Sequence, residues 1–238
     1  MLTAIHNHRT EFAQVHGDLQ VAVITHALEN MREATLNVFS GRRPDRPRGS
    51  AGYALASEEW NRRDALMAKN LRWLLNDVYP GRKVVVWAHN AHIMKAYFAP
   101  DWRSVQHEPQ PDGMTSMGEY LAEWFGNDVY SIATTTYEGE DSWANGQSHG
   151  PVASATEGSL EWRLHKIGKP YLLLELRSLR SNPQHPMHRP QSLRISGYGP
   201  PTSPYGNDTV PDMTRAFDAI FYIDHMAPAT PIAGRPPR

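Results

Sequence analysis

Two histidines stand where a short apolar run ends, in Lys83-Val84-Val85-Val86-Trp87-Ala88-His89-Asn90-Ala91-His92. Imidazole titrates near neutral pH, so His89 and His92 have the chemistry of a general acid, a general base or a metal ligand. The β-branched run before them predicts a buried strand over 83–88, and in open α/β sheets ligands bind beyond the carboxyl ends of strands. Histidines three apart also suit one metal ion, with Glu138 adding an oxygen, although no His-Glu-x-x-His signature accompanies them. The plainest alternative is that two polar residues simply end a strand. Glu138 follows a second strand expected over 129–136, where it would act as a base or cap a turn at Gly139.

Arg63 and Asn70 are the candidates to hold a substrate. A guanidinium at position 63 would pair with a substrate oxygen or with a carboxylate, unless it is only an exposed helix arginine beside Arg62. Asn70 lies two helical turns further on and shares its face.

The elements that would position these residues follow from periodicity and stop signals. Apolar residues recur at helical spacing from Glu11 to Phe39, with a break expected near Gly17. The basic, proline-containing stretch 41–49 reads as a loop. Ser57 reads as an N-cap, with Glu58 and Glu59 in the first turn, opening a helix that Tyr79-Pro80-Gly81 ends. Further strands are expected over 129–136, 171–176 and 219–223, with helices over 115–125 and 156–167 between them. Met31, Met67, Trp73 and Trp124 are core candidates. Strands separated by helices predict an α/β fold with a mainly parallel sheet covered on both faces. Residues 1–226 are expected to form a single α/β domain. Within it, 181–211 carries seven prolines and forms an irregular excursion, while 227–238 is a Pro-rich disordered tail.

Composition narrows the function classes. A chain of 238 residues has room for a substantial core. Its net charge of −1 supplies no field for nucleic acid or an acidic membrane surface. The absence of cysteine excludes disulfides and thiol nucleophiles. No signal peptide or membrane-length apolar segment is legible, so a soluble, cytoplasmic protein is expected.

Several segments together resemble the erythromycin esterase family. Arg63-Asp64-Ala65-Leu66-Met67-Ala68-Lys69-Asn70-Leu71-Arg72-Trp73-Leu74 is similar to the helix that precedes its His-Asn-x-His strand, and Val85 to His92 is similar to that strand. Met117-Gly118-Glu119-Tyr120-Leu121, Phe125-Gly126-Asn127-Asp128-Val129-Tyr130 and Phe217-Asp218-Ala219-Ile220 follow in the family's order. The resemblance implies hydrolysis of an ester or lactone, including macrolide lactones, by activated water and with no required cofactor. His89 and His92 would then polarise the ester carbonyl or hold the water. The family's N-terminal Gly-Glu-x-x-His-Gly-type motif, which supplies the presumed base, is missing. The nearest text, Gln147-Ser148-His149-Gly150, lacks the glutamate and follows the His-Asn-x-His segment. The chain therefore reads as a C-terminal portion of such a protein. It would be either an esterase acting on a small-molecule ester or a catalytically incomplete remnant completed by a missing N-terminal half or a partner chain.

Overall fold

The computed structural model describes residues 1–40, 51–96, 115–142, 148–194 and 208–228. The basic stretch 41–49 and most of the Pro-rich tail lie outside them. The chain falls into two compact units, Met1–Val86 and Trp87–Arg238.

The first unit is helical. Helices α1 (Leu2–Asn7), α2 (Arg9–His16) and α3 (Asp18–Ser40) follow one another, and Gly17 separates the last two at φ +83°, a conformation natural to glycine. Helix α4 (Ala51–Trp73) begins earlier than expected, so Ser57 lies inside it rather than at its start. A wider π-helical turn, Leu74–Val78, ends it before Pro80 and Gly81, the latter at φ +73°. Helices α3 and α4 meet through His26, whose Nε2 hydrogen-bonds Asn70 Oδ1 at 2.8 Å and whose ring stacks 4.0 Å from Trp73. Ala68 and Val21 are buried. Met31 is 65% exposed, which removes it from the core list.

Residues 83–88 correct the opening expectation, because they form no strand. Val85 and Trp87 are 93% and 92% exposed, while Val84 and Val86 are about 40% exposed. That alternation is the signature of an extended chain. A strand also needs a neighbour to take its N–H and C=O groups, and a β-branched run cannot supply one by itself.

The second unit is built on a four-stranded sheet in the order β2-β1-β6-β3, with β1 Ile132–Ser142, β2 Ser148–Val152, β3 Tyr171–Glu175 and β6 Ala219–Met226. A separate pair joins β4 (Gln191–Leu193) to β5 (Asp208–Val210) within the irregular excursion. The sheet is mixed α/β rather than mainly parallel. Among the described residues only β1 and β6 run parallel, while β1–β2 and β3–β6 are antiparallel. Strand β2 returns beside β1 across a short connection, and such a connection permits only antiparallel pairing.

Register divides the sheet into two faces. Ala133, Thr135, Ile220 and Tyr222 are fully buried on the face that receives α7 (Leu160–His165) through Leu160, Glu161 and Leu164. On the other face Tyr171 and Leu173 are 62% and 63% exposed and Phe221 37%, so coverage on both faces is not realised among the described residues. Gly139 was expected at a turn but lies inside β1. A Cβ there would meet the Met226 carbonyl oxygen at 2.0 Å, and its φ is +139°.

Helix α6 (Met117–Phe125) opens with a capping box. Ser116 Oγ accepts the Glu119 N–H at 3.2 Å and Glu119 Oε2 accepts the Ser116 N–H at 2.8 Å. Its second residue, Gly118, lies against the preceding helix α5 (Asn90–Ile93), and a Cβ there would approach Ile93 O to 2.4 Å. Elsewhere in the unit His188 joins the excursion to α8 (Met213–Ala216). Its Nδ1 meets Asp212 Oδ2 at 3.1 Å and its Nε2 faces Leu179 O at 3.1 Å.

Two predictions follow from these contacts. Gly118→Ala should lower stability by about 1–3 kcal/mol, read as a fall in the midpoint of thermal unfolding, because backbone cannot yield as a flexible side chain would. The second concerns His188, whose pKa is raised by Asp212 and by the Leu179 carbonyl. A raised value means that the ring stabilises the fold fully below about pH 6.5 and loses that contribution as pH rises through the folded-state value. The difference in melting temperature between wild type and His188→Gln should therefore be larger at pH 5.5 than at pH 9. An equal difference at both would refute the charged clasp.

Candidate active site

The His89-Asn90-Ala91-His92 segment gains a fixed geometry from three local contacts. His89 is the N-cap of α5, and its Nδ1 accepts the Ala91 N–H at 3.3 Å. With Nδ1 an acceptor, the neutral ring carries its proton on Nε2. One turn on, His92 is 8% exposed, and the two rings stand edge to face with centroids 6.4 Å apart. Asn90 fastens the segment to the sheet. Its Nδ2 donates to Thr134 O at 2.7 Å and its Oδ1 accepts the Thr134 N–H at 3.0 Å, so one side-chain amide pairs with β1 as a neighbouring strand would.

The exit from α5 is fixed as firmly. The Ile93 carbonyl accepts from Ser131 Oγ at 2.7 Å, and the Met94 carbonyl accepts from Ser116 Oγ at 2.5 Å. Lys95 Nζ then contacts both oxygens of the fully buried Asp218 at 2.6 Å. Arg177 Nε at 2.9 Å, Arg180 at 2.7 Å and the Ser131 N–H at 2.8 Å complete the shell of that carboxylate. Burial alone would raise the pKa of Asp218, but these donors overcome it and hold the group well below the usual carboxylate range. The guanidinium groups have further carbonyl partners, with Arg177 donating to Asn127 O and Val129 O and Arg180 to Thr214 O. These cations therefore serve the fold rather than a substrate anion. Sequence reading missed the knot because its members lie up to 123 positions apart.

The remaining candidates separate. Glu138 is part of β1, in register with His225, and its Oε2 accepts from Ser154 Oγ at 2.5 Å while Oε1 lies 3.8 Å from His225 Nδ1. Arg63 and Asn70 belong to the first unit, whereas His89, His92 and Glu138 belong to the second. Arg63 is exposed on α4, and Asn70 is engaged with His26 in the contact between α3 and α4. The side chain of His149 lies outside the described residues. Among the described residues no three His, Asp or Glu side chains converge as a metal site requires, so His89, His92 and Glu138 do not form one. None of the described helices is long and apolar enough to cross a membrane.

Comparison with known proteins places this geometry in context. A family model described as "Erythromycin esterase" matches residues 6–226. A Bacillus subtilis (strain 168) protein named "Putative hydrolase YbfO" is 25% identical over 170 residues, which are 70% of this chain and 35% of that protein. A crystal structure of a Bacillus cereus protein is similar in fold, with a TM-score of 0.55 at 18% identity over 90% of this chain and 52% of that one. Another, described as a succinoglycan biosynthesis protein, gives a TM-score of 0.60 at 17% identity over 95% of this chain and 49% of that one. The chain thus spans about a third to a half of the length of these relatives.

Asn90→Ala removes both hydrogen bonds between α5 and β1 and leaves the Thr134 backbone groups without that partner. A loss of about 1–3 kcal/mol in unfolding free energy is expected by chemical denaturation, against under about 0.5 kcal/mol for an exposed control such as Lys69→Ala.

Proposed function

Because the chain belongs to the erythromycin esterase family, we propose that it is a hydrolase of esters or lactones that uses water as the attacking group, with a macrolide lactone as the substrate class the family name suggests. The observation that carries this reading is the fixed pair His89 and His92. The two imidazoles have the chemistry to polarise the ester carbonyl as charge develops on its oxygen. His92 sits one turn away to orient the attacking water. Removing one such donor commonly costs about 10²–10³ in rate. The name of the Bacillus subtilis relative supports hydrolysis and says nothing of the ester. Glu138 enters as a further carboxylate on β1 of the same unit.

A second reading is favoured by one observation, the bare apolar surface of the second unit. Among the described residues Tyr171, Leu173 and Phe221 lie open on one face of its sheet. On this reading the chain is catalytically incomplete until further polypeptide, equivalent to the part of the relatives that it does not span, covers that surface.

The test is hydrolysis by the purified chain of a panel of p-nitrophenyl esters and macrolide lactones, beside His89→Ala. Turnover that falls at least 10²-fold in the variant, with an unchanged melting temperature, is the expected result. Turnover unaffected by His89→Ala would refute the assigned role. A wild-type sample that binds ANS, lacks near-UV dichroism and turns nothing over would favour the incomplete-chain reading.

A further inference from the structure

Hydrolysis by water needs a proton acceptor, and among the described residues His165 is held as a base must be held. His165, the last residue of α7, places Nδ1 2.8 Å from Asp224 Oδ1. The same carboxylate oxygen accepts from the buried Tyr222 hydroxyl at 2.6 Å, so the partner of the imidazole is itself anchored. The ring lies flat on Tyr137, with centroids 3.9 Å apart and planes within 10°. Those contacts fix both the tautomer and the orientation of the imidazole, leaving Nε2 as the acceptor. Its side chain is 38% exposed, and Nε2 makes no hydrogen bond among the described residues.

The other histidine–carboxylate pairs lack one requirement each. His188 has both nitrogens occupied, by Asp212 and by the Leu179 carbonyl. The approach of His225 to Glu138, at 3.8 Å, is too long for a hydrogen bond. His6 lies 3.7 Å from Glu29, and the pair of His8 with Glu11 is a neighbour contact on an exposed helix surface.

Placement agrees with the same role. Tyr137 lies midway along β1 and Asp224 lies two residues before the end of β6, both in the later half of the stretch over which the strands run parallel. Asn90 seats the His89–His92 segment at Thr134, three residues earlier on β1, about 10 Å along the strand.

We propose that His165, oriented by Asp224, Tyr222 and Tyr137, is a general base for ester hydrolysis in this chain, an assignment that rests on the hydrolase reading. Nε2 takes a proton from water as the water oxygen bonds to the carbonyl carbon. The tetrahedral intermediate then breaks its bond to the alkoxy oxygen, and the proton on Nε2 passes to that leaving oxygen. An acid and an alcohol are released, and the imidazole returns to its starting state. His165 is the catalytic residue, and Asp224 is a positioning residue that acts through it.

The experiment uses the full chain with p-nitrophenyl butyrate at pH 8 and compares wild type, His165→Gly, His165→Gln and Asp224→Asn, each first checked for a wild-type unfolding transition. Loss of the base should lower kcat by about 10²–10⁴-fold with KM nearly unchanged. Added imidazole should restore turnover to His165→Gly and leave wild type unaffected, a rescue that a purely structural histidine does not show. Asp224→Asn should lower kcat at unchanged KM. Wild-type turnover in a folded His165→Gln, or a loss in His165→Gly that imidazole does not relieve, would overturn the assignment while leaving the hydrolase reading intact. A folded wild type inactive on the whole panel of p-nitrophenyl esters and macrolide lactones would instead remove the hydrolase reading, and this assignment with it.

Discussion

The second unit depends on one buried negative charge. Asp218 is inaccessible to water and is surrounded by Lys95, Arg177, Arg180 and the Ser131 N–H. Taking a carboxylate out of water costs several kcal/mol, and only a shell of well-placed donors offsets that cost. The donors come from three stretches of chain, since Arg177 and Arg180 share the helical turn Arg177–Ser181. Lys95 follows α5, Ser131 precedes β1, Arg177 follows β3, and Arg180 stands in the turn that also reaches α8. Backbone bonds reinforce the same point, since the Leu176 N–H donates to Asp218 O and the Asp218 N–H to Ser131 O, each at 2.8 Å. If the carboxylate were neutralised, three cations would be left facing one another in a poorly solvated place.

That knot sits at the start of the parallel pair. Asp218 and Ser131 precede β6 and β1, whereas Tyr137, Glu138, Asp224 and His225 lie in the later half of the stretch over which the two strands run parallel. The arrangement separates anchoring from reactivity. Lys95, Arg177 and Arg180 all bond Asp218, while His165 Nε2 makes no hydrogen bond among the described residues. Between the two ends, Asn90 mimics a strand and fixes α5 on the edge of β1, so His89 and His92 have a rigid seat despite standing on a helix of four residues.

The sheet also shows what this length of chain does not satisfy by itself. Its α7 face is closed by Leu160, Leu164 and the buried Glu161, which accepts from Thr135 Oγ1 at 2.7 Å. The opposite face leaves Tyr171, Leu173 and Phe221 accessible, and Tyr171 and Phe221 stack only on each other, 6.3 Å apart. The chain spans about half of two crystal structures of similar fold. The unpaired run Val84 to Trp87 belongs to the same account. It has the composition of a core strand and no strand beside it among the described residues.

The sequence by itself determined whatever depends on neighbours a few positions away. The break at Gly17, the capping box at Ser116, the helix over 117–125, the strands near 132, 171 and 219, and the adjacent pair His89 and His92 were all legible, because propensity, capping and side-chain period act over one or two turns of chain. Tertiary structure alone decided what depends on distant partners. It paired Asn90 with Thr134, closed the shell of Asp218, set β3 antiparallel to β6, joined His165 to Asp224 across 59 residues, and denied residues 83–88 a strand. Each of these requires two or more segments to meet, and a buried charge or an open strand edge is stable only when its partners arrive. No pattern along a single stretch of chain encodes that arrival.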